Sequence, residues 1–597
     1  AYAGLAIENS MLGAAHSAAN PLTAHFNVVH GEAVGLMLPL VVRFNAAQPD
    51  ALRAYAELAS GPELATVKGG LTTALEALIA RLESLLNLAG FPRSLAERGV
   101  DASKIPQLAD EAARQWTANF NHRPVTAADF TARLAAIVGE RGMITDAAAM
   151  APHLSDWREL YTGSAVAVVR PGSTEEVAAV VKLCAETRTP IVPQGGNTGL
   201  VVGSIPDDSG RQVLLSLQRM NAVRALDGQN LTVTVEAGCV LQQLQTKAEE
   251  AGFLFPLSLG SEGSCTIGGN LSTNAGGTQV VRYGNTRELC LGLEVVTAEG
   301  EILNGLVGLR KDNTGYDLRD VFIGAEGTLG IITAATMKLY PMPAATLTAW
   351  AAVPSMALAV EFLGLAHQHL GAGLTGFEVM NQFSLSLVDK HYPQLRVPLW
   401  RDTPWCVLLE NADSESEAHA RERFEALMAS AMDAGCVTDA VVAESLAQAR
   451  NLWHIRESIT LAQAEEGLNI KHDISIPISS IPEFVDVTDA QLAEQIPGAR
   501  FVDFGHLGDG NLHYNVQAPE GDDVRAFQNK YEDLINDIVY RSVQRYGGSI
   551  SAEHGVGELK VDRLPEHKDP VAMELMRRMK RAFDPHNTLN PGRVVKL

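Results

Sequence analysis

The spacing of apolar residues divides the chain into three regions. Before residue 125, apolar positions recur every three to four residues, for instance over 71–82, which predicts a helical segment. From about residue 130, strand-like runs such as 165–171 alternate with helical runs such as 177–186. Beyond residue 346, strands are mixed with amphipathic helices, as over 414–434. We therefore predict an α+β multidomain fold with an all-α N-terminal fragment, and domains at 1–125, 126–345 and 346–597.

Bulk composition excludes several functions. The 597 residues are too many for one core, and the net charge of −23 repels nucleic acid and anionic membrane surfaces. We therefore expect no nucleic-acid partner. The six cysteines show no C-x-x-C spacing, which favours a reducing compartment. No apolar run reaches the length of a spanning helix and the N-terminus shows no signal-peptide pattern, so we expect no transmembrane segment and a cytoplasmic location.

Three long loops combine glycine with small polar residues, at 193–200, 260–277 and 323–333. Glycine frees backbone N–H groups to converge on an anion. One such loop is equally well explained as a tight turn, but three of them suit a long cofactor whose pyrophosphate is held by backbone N–H groups. None is a Walker sequence or a G-x-G-x-x-G fingerprint, which disfavours an NAD site.

A hairpin motif at 502–515 carries the second chemical signal. Two apolar runs flank the turn-forming residues 508–511. If the turn is centred there, His506 and His513 lie directly opposite each other, close enough for two imidazoles to share one metal ion. Asn515 points to the same face as His513. A histidine pair across a hairpin is also often merely packed or solvated.

The glycine-flanked segment 551–557 strengthens the metal interpretation. It supplies Glu553, a candidate third ligand, beside His554, a candidate base. Two histidines and one carboxylate with an open position are typical of a catalytic divalent metal rather than a closed structural site.

The order of the segments 193–200, 268–277 and 324–330 resembles the vanillyl-alcohol-oxidase, or PCMH-type, FAD-binding family. Within that family, residues 130–597 are similar to the D-2-hydroxyglutarate and D-lactate dehydrogenases and to the glycolate oxidase flavin subunit. The resemblance implies a PCMH-type FAD-binding domain at 126–345. It also implies a substrate-binding cap and C-terminal FAD-linked oxidase domain, ending in a helical segment, at 346–597.

The resemblance further implies how FAD is held. Members that tether FAD covalently often have a histidine in the first loop, where this chain has Asn197, so we expect non-covalent FAD. The implied cofactor-binding residues are Pro193, Gln194, Gly195, Gly196, Asn197, Thr198, Gly199, Leu200, Gly260, Ser261, Gly268, Gly269, Asn270, Thr273, Asn274, Gly276, Gly277, Glu326, Gly327, Gly330, Ile331 and Asn590.

The same resemblance assigns residues of the substrate half. Arg456 and Thr460 share one helical face at i, i+4, which taken alone is usually a solvated pair, and Lys471 begins an alternating strand. The implied substrate residues are Arg456, Thr460, Lys471, Asn515 and His554, with His554, Arg456 and Lys471 as catalytic residues. The implied ligands of a divalent metal, expected to be zinc, are His506, His513 and Glu553.

These residues predict an FAD-dependent dehydrogenase that oxidises a D-2-hydroxy acid to the 2-oxo acid. A metal lowers the pKa of the substrate hydroxyl, and an adjacent imidazole takes its proton. The cationic residues favour the dicarboxylate D-2-hydroxyglutarate; D-lactate or glycolate is the alternative. The sequence leaves open whether the electron acceptor is a quinone, an electron-transferring flavoprotein or a dye, and whether the protein is a homodimer.

Residues 13–39 resemble a different family, the iron-containing alcohol dehydrogenases. By that resemblance, His16 and His30 occupy two metal-ligand positions of the family's C-terminal helical domain, a weak second metal site. Asn20 stands where the family usually has a histidine, and the remaining ligands and the NAD domain lie further upstream in the family. We therefore expect residues 1–125 to be a truncated domain with a structural or vestigial role. A bifunctional fusion is the alternative.

Overall fold

The computed structural model describes residues 30–59, 70–91 and 127–597, together with isolated positions between 15 and 28. The chain forms two compact units, Ala1–Ala132 and Arg133–Leu597. Helices account for the first unit where it is described, as the apolar periodicity predicts. They are α1 (His30–Asn45), α2 (Pro49–Ala59) and α3 (Leu71–Leu88), and α4 (Ala127–Val138) follows.

The first part of the second unit mixes short strands and helices. Its strands are β1 (Met143–Ile144), β2 (Ala165–Val169), β3 (Ile191–Gln194), β4 (Gln212–Ser216), β5 (Val223–Asp227), β6 (Thr232–Glu236), β7 (Phe253–Leu254), β8 (Cys290–Val296), β9 (Ile302–Gly305), β10 (Ile331–Lys338) and β11 (Tyr340–Pro341). Its helices are α5 (Ala147–Leu154), α6 (Thr174–Thr187), α7 (Leu241–Glu250), α8 (Ile267–Thr273), α9 (Val280–Tyr283), α10 (Thr286–Leu289) and α11 (Leu318–Phe322).

Two sheets organise this part. A four-stranded sheet has the order β1-β2-β4-β3, with parallel pairing of β2 and β3 to β4, and a five-stranded antiparallel sheet has the order β5-β6-β10-β8-β9. Local sequence sets the start of α6, since the Ser173 side chain accepts a hydrogen bond from the backbone N–H of Glu176. The Glu176 carboxylate in turn accepts one from Gly172.

The second part is built on one large antiparallel sheet. Its strands are β12 (Ala345–Val353), β13 (Leu374–Asn381), β14 (Trp405–Asp413), β15 (Asp439–Val442), β16 (Asn469–Ile470), β17 (Asp473–Ser475), β18 (Arg500–His506) and β19 (Asn511–Gln517). Its helices are α12 (Met356–Leu370), α13 (Gln382–His391), α14 (Glu417–Asp433), α15 (Leu446–Glu466), α16 (Ile481–Gln495), α17 (Val524–Arg545), α18 (Leu564–His567) and α19 (Pro570–Phe583).

The strand order β15-β12-β14-β13-β18-β19-β16, with β17 also paired to β19, leaves two faces that helices cover. One apolar core lies between the sheet and α12, α14, α16 and α17. The other core lies between the opposite face and helices α13 and α15. Helix α15 is thereby placed on the face of the sheet to which the even-numbered side chains of β18 point. None of the helices in the described part of the chain has both the length and the apolar character that a membrane crossing requires.

The C-terminal segment returns to the first part of this unit. The backbone of Ile191 in β3 donates to Thr588 and accepts from Asn590, both at 2.7 Å. Lys580 of α19 fixes the return, since its Nζ donates to the carbonyls of Thr328 and Leu589 at 2.8 Å each. Its third partner is the Asp584 carboxylate at 2.6 Å, and both side chains of this ion pair are almost completely buried.

We predict that Lys580→Met destabilises the protein, because it leaves the buried Asp584 carboxylate without its counter-ion. The free energy of unfolding should fall by on the order of 3–5 kcal/mol. Lys596→Met is the control, since Lys596 pairs with Asp562 at the surface and such pairs contribute at most about 1 kcal/mol. Urea unfolding followed by circular dichroism measures both variants, and equal losses of stability would contradict the prediction.

Candidate active site

A cavity of about 710 Å³ lies between the glycine-rich loops and the large sheet. Its size is within the usual range for a cofactor site. The loop segments 193–201, 258–278 and 326–332 contribute to its wall from one side, and α15, β18, β19 and the segment 553–554 contribute from the other. All of the cofactor residues predicted from the sequence line this cavity except Asn274 and Asn590.

Close backbone packing explains why glycine is needed in these loops. A Cβ on Gly196 would stand 2.1 Å from the carbonyl oxygen of Ser264, and one on Gly277 would stand 2.1 Å from that of Ser258. Gly277 also has a φ of +123°, a conformation that L-residues avoid. In addition, the Asn270 side-chain Nδ2 is buried beside the cavity without a hydrogen-bond partner. The cradle of close-packed loops and this orphaned donor fit a long polar cofactor such as FAD.

The two remaining predicted cofactor residues brace the loops from behind. Asn274 accepts a hydrogen bond from the backbone N–H of Arg287 at 2.9 Å. Asn590 donates to the carbonyls of Gly203 and Glu326 at 2.9 and 2.8 Å. These hydrogen bonds support the cavity wall from outside, and neither side chain lines the cavity.

The predicted hairpin is formed by β18 and β19, but the predicted opposition of its two histidines is wrong. His506 pairs with Asn511, and His513 pairs with Phe504. The turn takes the four residues 507–510, because the backbone carbonyl of His506 accepts hydrogen bonds from Asp509 and Gly510. Its centre therefore lies one residue earlier than we expected. The two imidazoles are diagonal neighbours on one face, with ring centroids 5.4 Å apart.

A group of possible metal ligands nevertheless forms at this hairpin. His506, His513 and Glu553 each offer a ligand atom, and the three atoms lie within 4.8 Å of one another. The Nε2 atom of His506 is 3.4 Å from Oε1 of Glu553. Glu553 also accepts a hydrogen bond from the backbone N–H of Gly277 at 2.9 Å, which ties this group to the glycine loops.

The electrostatics of this group suit a cation. Burial raises the pKa of the Glu553 carboxyl. Burial alone would lower the pKa of His506, but the carboxylates of Glu378 and Glu553 raise it to about 9. A site that attracts a proton to an imidazole offers negative potential for a divalent ion as well. The donor set of two imidazoles and one carboxylate fits such an ion.

Asp473 forms a second group with His513 and His554 and was not identified from the sequence. Its Oδ2 accepts hydrogen bonds from three successive backbone N–H groups, those of Ala552, Glu553 and His554, at 3.2, 2.9 and 2.8 Å. Its Oδ1 accepts from the side chain of Asn511. These bonds occupy the carboxylate, so Asp473 holds the 551–557 segment in place rather than offering a free ligand. In the sequence, the only signal for Asp473 was an acidic residue within the strand predicted to begin at Lys471.

His554 lines the cavity, and its ring stacks on that of His513 with centroids 6.0 Å apart. Burial lowers the pKa of His554 to about 4, and the positive charges of Lys560, Lys471 and Arg158 act in the same direction. The Asp473 carboxylate opposes this shift without reversing it. The imidazole is therefore neutral near pH 7 and able to accept a proton.

Helix α15 presents Arg456 and Thr460 to the cavity, as their i, i+4 spacing predicts. Arg456 is buried, its Nε donates to Glu378 at 2.7 Å, and its guanidinium lies over the Phe504 ring. Its Nη2 is 2.7 Å from the same carboxylate oxygen, but at an angle that makes no hydrogen bond. Arg456 thus brings a positive charge, fixed by Glu378, to a cavity that is expected to receive an anion.

Lys471 and Asn515 do not line the cavity. Lys471 is exposed at the start of the β17 region, near enough to His554 to influence its pKa. Asn515 is buried on the same sheet face as His513, where it donates to the Gln463 side chain at 2.9 Å and accepts from the backbone N–H of His472 at 3.1 Å. Neither of these two predicted substrate residues contributes to the cavity wall.

Glu378 is the second residue that the sequence did not identify. It lies at the centre of β13, is fully buried, and accepts hydrogen bonds from Arg456 and from Nδ1 of His506, both at 2.7 Å. The only sequence signal was a single carboxylate within the apolar run 377–380.

The weak second metal site predicted in the N-terminal region is not described by the structure. Its first residue, His16, lies outside the described residues. His30 begins α1, but its side chain is also outside the description.

Comparison with protein families identifies the parts of the chain. Residues 165–305 match the FAD binding domain family, and residues 342–594 match the C-terminal domain of the FAD linked oxidases. Residues 1–138 match the C-terminal region of the Fe-containing alcohol dehydrogenase family. Both resemblances noted in the sequence are confirmed.

Individual relatives give the same assignment. The chain is 38% identical over 459 residues to the mitochondrial D-2-hydroxyglutarate dehydrogenase of Arabidopsis thaliana, covering 77% of this chain and 80% of the relative. It is 39% identical over 441 residues to the D-2-hydroxyglutarate dehydrogenase of Xanthomonas citri pv. viticola, covering 74% and 91%.

Among solved structures, p-cresol methylhydroxylase with bound substrate shares the fold, with a TM-score of 0.63 at 17% identity over 78% of this chain and 96% of that one. The predicted α+β fold with a PCMH-type FAD domain is confirmed. The chain belongs to the FAD-dependent oxidoreductase family that contains the D-2-hydroxyglutarate dehydrogenases and acts on CH–OH groups.

Proposed function

We propose that this protein oxidises D-2-hydroxyglutarate to the corresponding 2-oxo acid, with FAD and a divalent metal, expected to be zinc. The observation that carries the proposal is the meeting of three features at one cavity. These are the glycine cradle, the His506–His513–Glu553 group and the guanidinium of Arg456. The names of the relatives from Arabidopsis thaliana and Xanthomonas citri support the choice of substrate.

Each cofactor has a defined place in this proposal. FAD, held by the loops around Gly196, Asn270 and Gly277, supplies an acceptor for the hydride that leaves the substrate carbon. A divalent metal at the His506–His513–Glu553 group supplies a Lewis acid for the substrate hydroxyl.

The protein side chains provide the remaining steps. Arg456 binds a substrate carboxylate through its guanidinium, which orients the carbon that carries the hydroxyl. His554, neutral at physiological pH, accepts the hydroxyl proton at Nε2. Its Nδ1 stays turned toward Oδ2 of Asp473, 3.8 Å away. The hydrogen bonds that the backbone N–H groups of residues 552–554 donate to Asp473 keep the imidazole in position during this transfer.

A substrate with one carboxylate, D-lactate or glycolate, is the second candidate. It is favoured by one observation: among the described residues, Arg456 is the only arginine or lysine that lines the cavity. Lys471 lies near His554 without lining the cavity, so the dicarboxylate requires it to turn inward when substrate binds. A comparison of acids with one and two carboxylates separates the two proposals.

Location and partners are proposed more broadly. The name of the Arabidopsis thaliana relative includes the word mitochondrial, which does not fit a plain cytoplasmic location, whereas the name of the bacterial relative does not include it. We propose that the reaction takes place in the matrix of mitochondria or in the bacterial cytoplasm, according to the source of the chain. The substrate is a small hydroxy acid, and we propose a separate electron acceptor, a homodimeric assembly, and a structural role for residues 1–125.

We predict that Gly196→Ala lowers the flavin content of the purified protein several-fold, since the added Cβ displaces the backbone at Ser264 from the cradle. Gly263→Ala is the control, because Gly263 precedes Ser264 in the second glycine loop but its Cβ would meet only Gln242, at 3.5 Å. The ratio of flavin absorbance at 450 nm (a general property of oxidised flavin) to protein absorbance measures both. Equal flavin content in the two variants would argue against the proposed FAD site.

The proposed reaction is tested by anaerobic bleaching of the flavin. D-2-hydroxyglutarate should remove the yellow colour rapidly, and prior treatment with a chelator should prevent this, because the substrate hydroxyl then lacks its Lewis acid. Bleaching by D-lactate but not by D-2-hydroxyglutarate would support a substrate with one carboxylate instead. Absence of bleaching by both acids in a yellow, metal-loaded protein would refute the proposed function.

We predict that His506→Ala loses its metal and at least about 100-fold in turnover, since one of three ligands is removed. His391→Ala is the control, because His391 also bonds a carboxylate, that of Glu466, but away from the cavity. Metal content by mass spectrometry and the rate of flavin reduction measure both variants. Full metal content and full turnover in His506→Ala would contradict the assignment of His506 as a metal ligand.

A further inference from the structure

Glu378 is a charged residue in an otherwise apolar setting. It lies on β13 between Phe377 and Val379, which belong to the core on the opposite face of the sheet, and its own side chain is completely inaccessible. In the sheet, Glu378 is directly paired with His506 of the neighbouring strand β18. Transfer of a carboxylate from water to such a site is unfavourable unless strong partners offset the loss of hydration.

Those partners are two residues with different proposed tasks. Oε1 accepts a hydrogen bond from Nδ1 of His506, and Oε2 accepts one from Nε of Arg456, each at 2.7 Å. Because Nδ1 is occupied in this way, Nε2 is the nitrogen that His506 turns toward Glu553. The hydrogen bond therefore selects both the tautomer and the ring orientation that a metal ligand requires.

The same carboxylate orients the guanidinium. With Nε of Arg456 bound to Glu378 and the ring of Phe504 beneath it, the guanidinium plane is fixed on two sides. The Nη2 group is buried 2.7 Å from the same Glu378 oxygen, so this ion pair holds the guanidinium as a whole. Arg456 lines the cavity, where its guanidinium would pair with a substrate carboxylate.

We propose that Glu378 is a positioning residue whose single carboxylate orients both the proposed metal ligand His506 and the proposed substrate-binding residue Arg456. This inference rests on the proposed function, because it concerns the same metal and the same substrate. Both partners donate, so the central group must offer two acceptors. A glutamine amide offers one acceptor and one donor, and its NH₂ group would face an N–H of His506 or of Arg456.

The test compares Glu378→Gln with Glu410→Gln. Glu410 lies on the adjacent strand β14 and also accepts two hydrogen bonds, from Trp453 and Thr375, but it does not line the cavity. Affinity for zinc is measured without substrate, by competition with a chromogenic chelator on flavin-loaded protein. The KM and kcat for D-2-hydroxyglutarate are measured separately on zinc-saturated protein.

For Glu378→Gln we expect zinc affinity to fall about 10- to 100-fold and KM to rise about tenfold, while Glu410→Gln stays near wild type in both. A loss confined to global stability would move neither quantity in a protein that remains folded. If either zinc affinity or KM of Glu378→Gln matched the Glu410→Gln control, the proposed coupling would be overturned.

A second variant covers the case in which Glu378→Gln does not fold. Glu378→Asp keeps the charge but is shorter by one methylene, so it cannot reach His506 and Arg456 together. We expect a smaller change in the same two quantities, and wild-type values for either of them would overturn the proposal. Failure of the proposed function is distinguishable, because wild-type protein would then show no reduction of its flavin by the acid, whatever the zinc affinities of the variants.

Discussion

The active site depends on one buried carboxylate that holds a loop to a sheet. Asp473 accepts the backbone N–H groups of Ala552, Glu553 and His554 with a single oxygen. The loop that carries Glu553, a proposed metal ligand, and His554, the proposed base, is thereby attached to strand β17, next to His513. Burial acts to raise the pKa of Asp473, but the neighbouring side chains of His554, Lys560 and His513, together with the backbone N–H of His554, hold it far below the usual range.

The same loop is also attached to the flavin side of the cavity. The two oxygens of Glu326, in the third glycine loop, accept the backbone N–H groups of Val556 and Gly557 at 2.7 and 2.8 Å. Gly277, in the second loop, donates to Glu553. Both walls of the cavity therefore hold the 551–557 segment through directed hydrogen bonds. Such fixed contacts preorganise the 551–557 segment, since it does not have to be reoriented when the substrate arrives.

Local signals made part of this site predictable from the sequence. The glycine loops, the hairpin and the i, i+4 pair of Arg456 and Thr460 depend on neighbouring residues, and the structure brings them together at one cavity. The turn was placed one residue too late, at 508–511 instead of 507–510, so the partner of His506 on the opposite strand was misjudged by two residues. Glu378 was missed because its role depends on contacts with Arg456 and His506, which are 78 and 128 residues away in the sequence. No local pattern marks such a contact.

The return of the C-terminal segment has a consequence for biosynthesis. Asn590 bonds the carbonyl of Gly203, 387 residues earlier in the chain. At ribosomal rates of about 5–20 residues per second, that gap corresponds to roughly 20–80 s of translation during which the first glycine loop exists without its brace. The proposed metal ligands complete their set only at Glu553. The cavity is therefore expected to take up its cofactor only after residue 590 has been synthesised.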